Sequence, residues 1–215
     1  MGLSISWIGF QGIDKAEVLR RVALHDTGIE NQANEAPFSI AELPNGWTIL
    51  FAKNVNYVTA ERLAELSRSA MLVACQVEEH AMISAAHCFS DGHQVWSVSH
   101  SSDRGAYDLE ARGALPESFE AIKTRVFARQ NVAEGVEIRN ASAPDINPIL
   151  ERLRSLNPNT RVSTEFTMHV DYVFDIPIEL AAELAGYRHD CAKFDWGKPR
   201  FIGLEPGSHP EPVKG

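Results

Sequence analysis

The chain has 215 residues, 44% of them apolar and 23% charged, and a formal net charge of −9. A chain of this length can bury a substantial core. Its composition is that of a globular protein and excludes disorder, while apolar runs such as Met71 to Cys75 fall far short of the roughly 20 residues a membrane-spanning helix needs. The acidic balance, without any run of lysine or arginine, argues against nucleic acid as a ligand and favours basic partners.

The opening Met-Gly-Leu-Ser-Ile-Ser-Trp lacks the basic region, apolar run and cleavage site of a secretory signal. Gly2 and Ser6 match a myristoylation pattern, but Trp7 already belongs to a strand predicted over Leu3 to Phe10. Asp14 and Glu17 have capping-box spacing at the start of a helix that presents Val18, Leu19 and Val22. His25 to Pro37 is polar, contains Asp-Thr-Gly and is expected to be a loop. Phe38 to Leu43 and Trp47 to Ala52 flank Pro44-Asn45-Gly46, which predicts a hairpin. Thr59 is the expected cap of a helix through Ser67, with Leu63 and Leu66 inward.

Three strands are predicted at the centre, Met71 to Val77, Met82 to Phe89 and Gln94 to His100, joined by Glu78-Glu79-His80 and by a turn at Asp91-Gly92. A fourth is expected at Tyr107 to Ala111. Pro116 then opens a helix to about Gln130 with Phe119, Ile122, Val126 and Phe127 at helical spacing. Repeated Gly, Pro and Asn residues mark 131–164 as an irregular insertion or excursion containing a short helix, Ile149 to Leu156. A strand over Phe166 to Phe174, a helix from Asp175 to Leu184 stopped by Gly186, and a strand at Arg200 to Leu204 complete a domain spanning 1–204. Residues 205–215 read as a disordered tail. The dominance of hairpins predicts an α+β fold, a mostly antiparallel sheet with helices packed on one face.

Four groups of residues invite a chemical reading. Ser84-Ala85-Ala86-His87-Cys88 resembles the histidine segment of trypsin-like serine proteases. That resemblance implies a serine nucleophile in a Gly-Asp-Ser-Gly-Gly stretch, which this chain lacks, so chance similarity is the preferred reading. Cys75, His80, His87, Cys88, His93 and His100 are metal-ligand types, but a two-residue turn at Asp91-Gly92 sets His87 opposite Trp96 and Cys88 opposite Val95. His100 then lies about 13 Å from His87 at about 3.3 Å per residue. Sequence neighbours also point to opposite faces, so no metal is expected. His87 is expected to be hydrogen-bonded among Ile83, Ala85, Phe89, Trp96 and Val98.

Cys75 reads as buried and inert. Tyr187-Arg188-His189-Asp190-Cys191 follows a helix end, where Arg188 and His189 complement the helix dipole. Three cysteines, Cys75, Cys88 and Cys191, are too few and too scattered for a disulfide framework, which points to a reducing cytoplasm. No nucleotide or cofactor signature is present, and no cofactor is expected.

The residues support two functions from different classes. The favoured one is a non-catalytic, cytoplasmic binding protein that docks and inhibits a basic protein, as an immunity protein or antitoxin does. Its docking acids would be Glu78, Glu79, Asp171, Glu179 and Glu183. The alternative is a hydrolase or transferase with a diffuse carboxylate/histidine site near the central hairpins.

Overall fold

The computed structural model describes residues 2–33, 35–141 and 170–206, with the backbone alone described over 134–141. The short helix expected at Ile149 to Leu156, most of the 131–164 excursion and residues 207–215 of the expected tail lie outside the described residues.

Among the described residues nine strands form one sheet: β1 (Ser4–Gln11), β2 (Leu24–Asn31), β3 (Phe38–Glu42), β4 (Thr48–Ala52), β5 (Met71–Glu78), β6 (Ile83–Ser90), β7 (His93–Ser101), β8 (Glu110–Gly113) and β9 (Phe201–Pro206). Their order is β2-β9-β3-β4-β1-β5-β6-β7-β8, and every neighbouring pair is antiparallel. The expected α+β class is therefore what the protein adopts. Helix packing is divided between the two faces. One face carries α3 (Phe119–Ala141) and α4 (Asp175–Ala185), which cover Trp7, Ile49, Val73, Cys75, Trp96 and Val98. The other carries α1 (Lys15–Val22) and α2 (Ala60–Leu66), which cover Ile8, Phe10, Leu50, Leu72 and Phe89. Two-sided coverage explains why β1 and β4 are buried on both faces rather than alternating inside and out.

Local chemistry sets the element ends. The Asp14 carboxylate accepts from the Glu17 amide at 2.8 Å, while Glu17 turns to Arg20 and Arg21 instead of closing the capping box. The Thr59 hydroxyl caps α2 by accepting from the Arg62 amide. Gly186 ends α4 in the left-handed region, with its amide donating to the Ala182 carbonyl.

Four local expectations change. The expected loop after His25 contains β2. Its Asp-Thr-Gly forms an Asx turn inside an edge strand, the Asp26 carboxylate accepting from the Gly28 amide at 2.6 Å where the register shifts against β9. An edge strand with an exposed side carries no apolar pattern to read. The fourth central strand begins at Glu110 rather than Tyr107, because Asp108 is held in a turn by the Gly105 carbonyl. Helix α3 continues past Gln130 to Ala141. Of the strand expected to end at Phe174, residues 170–174 form a turn that winds directly into α4: the Phe174 amide donates to the Asp171 carboxylate, and the Asp175 amide to the Tyr172 carbonyl.

The β6–β7 hairpin turns as expected at Asp91 and Gly92, both at positive φ, with Ser90 opposite His93 and Phe89 opposite Gln94. Beyond that pair Val95 is an extra residue, so Cys88 faces Trp96 and His87 faces Ser97. This bulge corrects the expected pairing of His87 with Trp96 and Cys88 with Val95. It rotates Trp96, Val98 and His100 onto the α3/α4 face, where all three are buried. Gly113 on β8 fits against the bulge at φ +87°, where a Cβ would stand 2.2 Å from the Val95 carbonyl oxygen. Gly113→Ala is expected to cost about 1–3 kcal/mol of stability, read as a lower urea midpoint. An unchanged midpoint would show that β8 does not hold the bulge.

Candidate functional site

The bulge and the turn before α4 meet at His100. Its side chain is fully buried, and both ring nitrogens face acceptors. Nδ1 donates to the Asp108 carbonyl at 2.6 Å, and Nε2 lies 2.8 Å from Asp171 Oδ2 and 3.4 Å from Ser102 Oγ. The Ser102 hydroxyl also donates to Asp171 Oδ2. Burial opposes a charged imidazole, yet the Asp171 carboxylate and Asp108 carbonyl outweigh it and hold the His100 pKa above its ordinary value. Burial likewise opposes the Asp171 charge, but hydrogen bonds from His100 and Ser102 hold that carboxyl below the usual range.

Serine, histidine and aspartate are thus together, but not as a nucleophilic triad. A triad needs the carboxylate on one ring nitrogen and the serine on the other. Here both share Nε2, and a backbone carbonyl occupies Nδ1, so the imidazole is not left free as a base toward Ser102. The cluster holds the turn that starts α4. Ser84, opposite His100 in the hairpin, donates to the Phe174 carbonyl at 2.7 Å, and the Gln130 side chain on α3 accepts from the Tyr172 amide at 2.8 Å.

The protease-like segment comes apart on the two faces. Ser84 serves the α4 turn, while His87 lies on the other side of the sheet, with Nε2 3.3 Å from Gln76 Oε1 and its pKa lowered by burial. Of its expected neighbours, Ala85 and Phe89 share its face; Trp96 and Val98 do not, because of the bulge. His80 sits exposed in the turn beyond β5, 3.1 Å from Glu78. Among the described residues no group of three or more His, Cys, Asp or Glu side chains is placed to hold a metal. Burial pushes the Cys75 thiol far up and the Cys88 thiol up to about 11, whereas Cys191 is exposed.

The expected docking acids divide by location. Glu79 accepts from the Leu3 amide at 2.7 Å beside Glu78. Glu179 pairs with Arg125 and lies 3.9 Å from Arg188; with the exposed Glu183 it lines a groove of about 390 Å³ between α3 and α4. Asp171 stands apart from the other four, its side chain only 8% exposed and engaged with His100. Arg188 reaches back along α4, gripping Asp190 through two bonds of 2.6 and 3.0 Å and Asp175 at 2.9 Å. It is therefore an ion-pair hub and not a ligand of the helix C-terminal carbonyls.

A larger cleft, about 750 Å³, opens at the other end of this segment. Tyr187, Phe201 and Phe51 line it together with Asn31, His189 and Cys191. Asn31 and Phe201 are partners in the β2–β9 pairing. Asn31 is invisible in the sequence as a site residue because its strand has no apolar signature, and only the fold brings it to the 187–201 segment.

No family model, curated protein or solved structure matches the chain. No helix among the described residues is long and apolar enough to cross a membrane.

The His100–Asp171 pair makes stability depend on pH with a defined sign. His100, raised when folded, contributes fully below its unfolded value of about 6.5 and loses that contribution as pH rises through the folded value. Asp171, lowered when folded, contributes fully above about 3.9 and loses it as pH falls through the folded value. The stability gap between the wild type and Asp171→Asn is therefore expected to be widest between about pH 4 and 6.5, reaching about 3 kcal/mol, and to narrow toward pH 9. A gap that stays constant across urea titrations would contradict the pairing. A thiol reagent should modify Cys191 rapidly and Cys75 and Cys88 only on unfolding; two fast-reacting thiols in the folded protein would refute the burial.

Proposed function

We propose that this chain is a non-catalytic, cytoplasmic binding protein that docks a basic protein and blocks or holds it, in the manner of an immunity protein or antitoxin. The observation that carries this reading is the internal commitment of the reactive side chains. His100, Ser102, Ser84, Cys75 and Cys88 are buried or bonded within the chain. Glu78, Glu79, Glu179 and Glu183 remain on or near the surface of a chain carrying −9. Excess negative charge speeds encounter with a positive partner and disfavours polyanions.

The alternative hydrolase or transferase reading draws less support. His80, His87 and His100 occupy an exposed turn, one face of the sheet and the buried opposite face, so they converge on no common substrate position.

A pull-down from the native host tests the proposal. A protein of pI above about 9 is expected in stoichiometric amount, releasing as the Debye length falls from about 10 Å at 0.1 M salt to about 3 Å at 1 M. Glu183→Lys is expected to weaken its retention. Equal retention at both salt concentrations, or recovery of an acidic partner, would overturn the charge-based reading.

A further inference from the structure

Among the described residues, three buried side-chain atoms lack any hydrogen-bond partner: Trp7 Nε1, Asn31 Oδ1 and His189 Nδ1. Buried polar atoms in folded proteins are seldom left unpaired, and each exception calls for an explanation. Two of these three belong to residues that line the 750 Å³ cleft. That volume falls within the range of small-molecule sites, about 300–1,000 Å³. A ligand-sized space and two residues that each carry an unpaired polar atom thus coincide in one place.

We propose that this cleft binds a neutral, planar nitrogen heterocycle, up to the size of a nucleoside, through Asn31 and His189. The inference stands apart from the protein-docking proposal and uses none of its acids. An amide and a neutral imidazole each present donor and acceptor character, which suits the alternating donors and acceptors along the edge of such a ring. Burial lowers the His189 pKa, which favours the neutral imidazole. Phe51, Tyr187 and Phe201, each no more than 3% exposed, form a packed apolar floor beside them, with Phe201 centred 5.7 Å from Tyr187 and 6.3 Å from Phe51.

Charge at the cleft selects against an anionic ligand. Arg200 is paired with Glu30 at 2.6 Å, and Asp190 is held by Arg188. Glu35 adds a further carboxylate to the lining. A phosphate placed there would meet the carboxylates of Glu30, Glu35 and Asp190, which outnumber the two cations of the lining, Lys198 and the already paired Arg200. The uncharged nucleoside is therefore preferred over its monophosphate.

The full chain is to be titrated with adenosine, guanosine, cytidine and uridine, and with adenosine monophosphate. Tryptophan fluorescence and the alkylation rate of Cys191, which also lines the cleft, are the readouts. At least one nucleoside is expected to saturate with a Kd below about 1 mM and to slow alkylation several-fold. Adenosine monophosphate should bind more weakly than adenosine. Asn31→Leu and His189→Phe should each weaken binding about tenfold while Cys75 and Cys88 remain protected, the sign that folding is intact. The proposal is overturned by the absence of saturation with every nucleoside up to about 10 mM, by tighter binding of the monophosphate, or by unchanged affinity in both variants. The wild-type titration decides the question even where a variant fails to fold, and it is read independently of any protein partner.

Discussion

The extra residue at Val95 is the constraint on which the arrangement of this protein turns. Side chains alternate along a strand, so a single inserted residue moves everything beyond it to the other face. Without the bulge, Trp96 would oppose His87 on the α1/α2 side, and His100 would oppose Ile83. With it, Trp96 and Val98 complete the core beneath α3 and α4, and His100 sits opposite Ser84. Those two polar residues then reach the turn that opens α4, one through Asp171 and the other through the Phe174 carbonyl.

The polar groups follow from coverage on both faces. A sheet hidden beneath helices on each side offers little water to a serine or histidine in its middle strands, so such groups must find partners within the chain. Ser84, His100 and Gln130 all find theirs in the short stretch from Asp171 to Phe174, and Asp171 both caps that turn and receives the histidine. Residues that look like chemistry in one dimension thus hold a helix in place in three.

Much of the architecture is legible in the sequence because it is written in local patterns. Asp91-Gly92 and Pro44-Asn45-Gly46 announce their hairpins through turn chemistry, and Thr59, Asp14 and Gly186 mark helix ends through capping. What stays hidden depends on contacts between distant residues. A bulge has no residue signature of its own, so turn chemistry alone sets the register beyond Phe89 one residue off. Edge strand β2 pairs on one side only and carries polar residues that read as a loop. The His100–Asp171 contact spans 71 positions, and Asn31 meets the 187–201 segment only through β9. Of the acids singled out from sequence, Asp171 alone is drawn inward, because a buried histidine requires it.

An interior in which Ser84, His100 and Asp171 are paired within the chain is thus set apart from a surface that carries the excess negative charge and from a cleft whose lining is not fully paired. Central to that division is the buried His100 ring, fixed between a carbonyl and a carboxylate that hold its pKa above the ordinary value. Nitrogen-15 NMR of the imidazole rings tests it directly. At neutral pH both ring nitrogens of His100 are expected to carry protons, in slow exchange with solvent, and Asp171→Asn should remove the Nε2 proton. A His100 ring with an unprotonated Nε2 at that pH, free to act as a base toward Ser102, would contradict the account and return the cluster to catalysis.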